Sequence, residues 1–376
     1  MTRLAIAVAF LADLVPIYAL YAVWFVATGL SEAQVSALFA IWSVVGLVAE
    51  IPSGALADRF GRRRAVVTAY VGQAAAYTVW ATWPTFTGFA VGFALWSLGG
   101  SLESGAKEAL LYDALAPGER WRYARIASGS SAAGLLAHVP AAGLATLLFA
   151  IGGGYEPVAW LSVGTCLATA ALATRLPDVR PEPSDDGGED PEPGWFAGLR
   201  AGIVEAAARP PVRTILLAVA VLGGVDALEE YFPLMAAAWS VPTALVPPAV
   251  VATSVAGAAG AALGGVAAGW GRWRLTAIIA AAVAALTVAA ALAVPLGILL
   301  VAVFYGGYRL VLVVLEVRLQ DRITGPSRAT VTSVSGFGVE IAGLAVFGAW
   351  AVGGIWPIVA AAALVTALLP RILRTP

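Results

Sequence analysis

One cysteine (Cys166) and one histidine (His138) are the only thiol and imidazole in 376 residues. That excludes a disulfide framework, a Cys/His metal site and Cys–His nucleophilic chemistry. Lysine is as scarce: Lys107 stands alone among 22 basic residues, the rest being arginine. Charged residues make up 12% of the chain, against roughly 25% in soluble globular proteins. A net charge of −1 offers no footprint for nucleic acid. No HExxH motif or nucleophile elbow occurs, so an enzyme is not expected. No cofactor and no metal are expected either.

What is present is apolar. Hydrophobic residues make up 60% of the chain, and its mean hydropathy is +0.86. A bilayer core about 30 Å thick needs about 20 apolar residues per helix. Apolar runs set against turn signals give twelve such spans, at 4–28, 35–56, 65–83, 86–111, 127–151, 157–173, 212–237, 246–268, 275–294, 296–317, 331–351 and 354–369. The first run is too long for a cleaved leader and contains Asp13, so it reads as span 1. The arginines fall in alternate loops, including Arg59, Arg62, Arg63 and Arg64 after span 2 and Arg120, Arg122 and Arg125 after span 4. The positive-inside rule then places both termini in the cytoplasm of a bacterial inner membrane. Residues 177–194, "PDVRPEPSDDGGEDPEPG", read as a disordered linker. Residues 195–207 read as an amphipathic surface helix. The organisation expected is an all-α polytopic membrane protein: a six-helix bundle at 1–176, a linker at 177–211 and a second six-helix bundle at 212–376.

The halves repeat. "GALADRFGRRR" (54–64) aligns without gaps on "GGVAAGWGRWR" (264–274), and "EALLYD" (108–113) on "EVRLQD" (316–321). Related bundles of this kind mark transporters. The run "VAGAAGAALGG" (255–265) reads as close helix packing rather than a phosphate loop.

With twelve spans, two halves and a central linker, the chain resembles the major facilitator superfamily. It carries that family's loop signature Gly-x-x-x-Asp-Arg-x-Gly-Arg-Arg at Gly54, Asp58, Arg59, Gly61, Arg62 and Arg63. The context, Glu50–Ile51–Pro52 before the signature and "SGAKEALLYD" ending span 4, is similar to a branch of small drug or metabolite exporters. Two antiporter motifs of such exporters are missing, Arg-x-x-Gln-Gly in span 4 and a Gly-Pro-rich pattern in span 5. The resemblance implies that Asp58 caps the start of span 11, near 325–327, with Arg62 or Arg59 holding it and reaching Asp113. Such a cluster would latch the halves in an outward-open state, or serve only as a topology anchor. The second copy has Ala268 in place of Asp58 and no such latch.

Membrane-depth charge is the remaining signal, because each such residue costs about 2.5–3.5 kcal/mol at mid-bilayer on insertion scales. Asp13 lies on span 1, Glu103 on span 4, Asp226, Glu229 and Glu230 on span 7, Arg309 on span 10 and Glu340 on span 11. In the family, spans 1, 4, 7 and 10 line the substrate cavity. Asp226 and Glu230 are four apart and should share a helix face, with Glu229 turned away. Arg309, flanked by Tyr305 and Tyr308, is the natural counter-ion, either in a switching pair or in a fixed one. Glu50, Lys107, Glu108 and Glu316 lie near span ends and read as braces. The expected activity is secondary transport by alternating access. The partners are a small molecule, protons and the lipid bilayer, and the protein works as a monomer. Proton-coupled export of an amphipathic or cationic molecule comes first, because five mid-depth acids face one base. Proton-coupled import of a small metabolite or ion uses the same machinery.

Overall fold

The computed structural model describes residues 1–115, 117–178, 210–322 and 328–374. The expected amphipathic helix at 195–207, most of the linker, the start of span 11 and the side chains of Gly54 and Asp58 lie outside the described residues. Among the described residues the elements are all helical.

The chain forms two compact units, Met1–Gly188 with Thr243–Pro248, and Glu189–Pro242 with Ala249–Pro376. The first contains α1 (Thr2–Ala27), α2 (Glu32–Phe60), α3 (Arg62–Thr82), α4 (Phe86–Asp113), α5 (Tyr123–Ala150) and α6 (Tyr155–Ala173). The second contains α7 (in three pieces, Pro210–Gly224, Val225–Tyr231 and Phe232–Ala238), α8 (Val246–Ala267), α9 (Arg272–Leu292), α10 (Gly297–Arg322), α11 (Arg328–Gly353) and α12 (Ile355–Ile372). Nine of these are long and apolar enough to cross a membrane on composition alone. The other three are α7, broken into shorter pieces, and α3 and α4, which carry polar groups such as Gln73, Glu103 and Lys107.

Local chemistry sets the boundaries. At the start of α2 a capping box forms, in which Gln34 N–H donates to Ser31 Oγ at 3.3 Å and Ser31 N–H to Gln34 Oε1 at 3.0 Å. The Thr85 hydroxyl caps α4 in the same way. Gly61 joins α2 to α3 at φ 95°, a conformation that a side chain would strain. Gly271, its counterpart in the repeat, has φ −67° and makes no such demand.

In the first unit α3 packs on α4 and α6, and α1 on α5. Its core is aromatic, with Phe25 and Phe89 centroids 4.1 Å apart and Trp80 4.9 Å from Phe93. The second unit places α9 against α10 and α12, and α7 against α11. There the glycine-rich run does pack closely: a side chain at Gly260 would overlap the Gly306 carbonyl of α10. Small residues let membrane helices approach this far.

Candidate functional site

The first helix of each unit is broken in mid-course. In α1 the regular helix ends at Asp13 and resumes at Tyr21, with a 3-10 turn, Pro16–Ala19, between. Pro16 has no N–H to donate and holds Val15 in an extended conformation (φ −119°, ψ 95°). The break frees the Ile17 N–H, which donates to Ser162 Oγ of α6 at 3.1 Å in the buried interior. In hydrocarbon such a partner is obligatory. The break in α7 is the 3-10 segment Val225–Tyr231, followed by Phe232–Ala238. The outer pieces have 7 residues each, and Tyr21 and Phe232 stand 211 positions apart, in step with the repeat.

Asp13 sits where α1 breaks, with its carboxylate packed against Gly134 of α5, where an added side chain would displace it. From α4, Glu103 Oε1 accepts from Tyr70 Oη at 2.7 Å and from Lys107 Nζ at 2.8 Å. The Gln73 amide donates to Tyr18 Oη at 2.7 Å and to Tyr77 Oη at 3.1 Å. Tyr18 stacks on Trp96, with centroids 5.3 Å apart. Two cavities flank this group. One of about 110 Å³ is lined by Asp13, Tyr18, Gln73, Trp96, Glu103 and Lys107. The other, about 290 Å³, shares Asp13, Glu103 and Lys107 and adds Glu108 and Ser130. Ser130 Oγ is buried and has no hydrogen-bond partner among the described residues.

In the second unit Arg309 Nη1 donates to both carboxylate oxygens of Asp226, at 3.0 and 2.9 Å. Tyr305 Oη lies 2.9 Å from Asp226 Oδ1 and 2.7 Å from Glu229 Oε2. The Ser254 hydroxyl of α8 donates to Glu229 Oε1 at 3.1 Å. Tyr308 is buried and donates to the Gly223 carbonyl at 3.4 Å, closing the end of the first piece of α7. Glu340 is exposed on α11, whose Val339 and Ala342 press on Gly223 and Gly224.

Twelve helices, two units and a paired acid–base group at a broken helix in each describe a membrane transporter fold, and the family comparison decides which. The model of the Major Facilitator Superfamily matches residues 4–347. The chain belongs to this family. It is a multi-pass membrane transporter and not an enzyme. Among solved structures it is similar to the nucleoside transporter NupG, with TM-score 0.75 and 12% identity over 99% of this chain and 100% of that one. It is also similar to a bacterial homologue of the iron transporter ferroportin in an inward-facing state, with TM-score 0.71 and 16% identity over 100% and 98%. A D-xylose-proton symporter matches with TM-score 0.68 and 13% identity over 99% and 97%. No curated protein sequence matches the chain.

Two expectations for this facilitator need correction. Asp226 shares its tyrosine partner with Glu229, not with Glu230. A 3-10 turn has three residues per turn, so positions i and i+3 align, whereas the expected i, i+4 pairing assumes an α-helix. Lys107 is not a brace at the helix end: α4 continues to Asp113, and the ammonium turns back one turn onto Glu103. Each unit therefore has its own base. Tyr70, Gln73, Tyr18 and Ser254 also belong to these groups, although none carries a charge that would have singled it out.

At the loop signature, Arg62 pairs with Asp113 at the end of α4. Arg63 pairs with Asp178 at 2.9 Å and reaches the Leu176 carbonyl at 3.4 Å. Arg59 lies over the ring of Phe60. In the repeat the acid is missing, and Arg318 of α10 instead donates to the carbonyls of Ala268 and Trp270.

Proposed function

We propose that this facilitator is a proton-coupled secondary transporter that exports an amphipathic or cationic small molecule by alternating access, with both termini in the cytoplasm of a bacterial inner membrane. One observation supports the reading most: each unit breaks its first helix at the same point of the repeat and gathers acids there with a single base. Interrupted helices at corresponding positions of two halves are the feature from which binding sites in such transporters are best inferred. Acids still outnumber bases after Lys107 is counted, with Asp13 and Glu103 against Lys107, and Asp226, Glu229 and Glu230 against Arg309. That balance favours a cation, and Tyr18 and Trp96 add aromatic lining to the first-unit cavity. The arginine cluster, with Asp58 and the Arg62–Asp113 pair, would act as the latch that steadies one state of the cycle.

A second reading, proton-coupled import of a small polar metabolite, draws on the same first-unit cavity. Its Gln73 amide, tyrosine hydroxyl and indole face also suit a polyhydroxylated ligand. Proteoliposome flux under an imposed pH gradient separates the two. Uptake of the fluorescent cation ethidium driven by the gradient, with no response to pentoses or nucleosides, is the expected result. Gradient-driven flux of the uncharged compounds alone would favour import of a metabolite, and indifference to the gradient would remove proton coupling.

A further inference from the structure

We propose that Glu229 is the resident proton site of the second unit, a carboxylic acid held against Tyr305 while Asp226 stays ionised. The proposal rests on the proton coupling argued above and assigns it an atom. A phenol has one hydrogen, yet Tyr305 Oη is within hydrogen-bond distance of two carboxyl oxygens, Asp226 Oδ1 at 2.9 Å and Glu229 Oε2 at 2.7 Å. If both acids were ionised, one of these contacts would set two lone pairs against each other with no hydrogen between. The cluster is complete when one acid keeps its proton and donates it to the phenol oxygen.

Charge decides which acid that is. Asp226 receives the Arg309 guanidinium on both its oxygens. Among the described residues the hydrogen-bond partners of Glu229 are hydroxyls, Tyr305 and Ser254, and a buried carboxylate not bonded to a cation is the costlier ion. The other charged or titratable groups near the cluster are Arg309, Tyr308 and Glu316 on α10, Glu230 beside Glu229, and Glu340 on α11, which is exposed, while Arg213 of α7 and Arg318, Asp321 and Arg322 of α10 lie toward the far ends of those helices. Among the described residues facing the cluster Arg309 is the cation, and it is already engaged by Asp226.

The arrangement also makes a relay. If the Glu229 hydrogen moves to Tyr305 Oη as the phenol hydrogen moves to Asp226 Oδ1, each oxygen that gains a hydrogen is matched by one that loses one. The net charge is unchanged. The negative charge passes from Asp226 to Glu229, and Arg309 loses its anion. A proton entering or leaving at Glu229 would thereby loosen or tighten the tie between α7 and α10.

Infrared difference spectroscopy of the full-length protein in lipid vesicles at neutral pH, without any ligand, tests the assignment. Subtracting the spectrum of Glu229→Gln from that of the unmodified protein should leave the C=O band of a protonated carboxyl, sensitive to deuterium exchange. Tyr305→Phe should shift that band, because the acid loses its acceptor, and Glu230→Gln should leave it unmoved. A difference spectrum containing carboxylate bands instead would overturn the proposal. If Glu229→Gln does not fold, an unshifted acid band in both Tyr305→Phe and Ser254→Ala would overturn it equally. The coupling reading fails separately. Flux indifferent to a pH gradient would leave the Glu229 band in place, and gradient-driven flux without that band would sink only this assignment.

Discussion

Lys107 and Glu103 stand one turn apart on α4, each about a quarter exposed at the side chain. Their value lies between that of a surface pair, about 0–1 kcal/mol, and the 3–5 kcal/mol typically lost when one partner of a buried pair is removed. Lys107→Met should therefore lower stability by roughly 1–2 kcal/mol, between those limits. Adding Glu103→Gln should restore the stability while leaving transport impaired. Thermal unfolding in detergent, read beside ethidium flux, checks both, and a double variant no more stable than the single would count against the pair. Gly134 gives a second test at this scale. Alanine there collides with the Asp13 carboxylate, whereas Gly143 on the same helix faces open space. Gly134→Ala should cut flux at least tenfold. Gly143→Ala should leave flux intact and gain up to about 1 kcal/mol from helix propensity. Of these residues Asp13 and Glu103 were legible in the sequence, because charge inside an apolar run is costly wherever it falls. Lys107 was not, since its place near the end of the span does not say whether the ammonium turns out to the loop or back one turn onto Glu103.

The element that carries most of the site is the helix break, and the two breaks differ in how visibly the sequence announces them. Pro16 marks the one in α1. Pro233 lies beyond Val225–Tyr231 and acts on it from outside, having no N–H for the Glu229 carbonyl four residues back. An α-helical period applied across that stretch pairs Asp226 with Glu230, which is why the reading of α7 went astray by one residue. Buried polar bonds maintain the breaks, and these can be tested singly. Ser162→Ala removes the acceptor of the Ile17 N–H. A buried donor left unsatisfied costs about 1–3 kcal/mol, so the variant should unfold at lower temperature by a margin of that size. Ser131→Ala on α5 makes a fair control, since that hydroxyl donates to the Ala127 carbonyl one turn away. Equal melting of the two variants would mean that the break in α1 is held by packing, not by Ser162.

At the scale of the whole molecule the twelve spans and the repeat were legible because a bilayer imposes length and apolarity on every helix that crosses it. The division of labour between the halves was not. The first unit combines two cavities with Asp13, Glu103 and Lys107, while the second holds a tighter acid–tyrosine–arginine knot. This asymmetry suggests substrate contact in the first unit and proton handling in the second. Glu229→Gln should then abolish accumulation of ethidium under a pH gradient and spare its exchange at equal pH, because a neutral amide can still donate to Tyr305 but can no longer release a proton. Asp226→Asn should do likewise, by removing the anion that Arg309 follows. Arg309→Ala should impair both modes, since it leaves Asp226 without its cation. Glu230→Gln, outside the Tyr305 contact, should cost far less than Glu229→Gln. Counterflow and gradient-driven uptake in the same vesicles read out the two modes together. If the Glu229 and Asp226 variants still concentrate the cation, the proton travels through Asp13 or Glu103, and both tasks belong to the first unit.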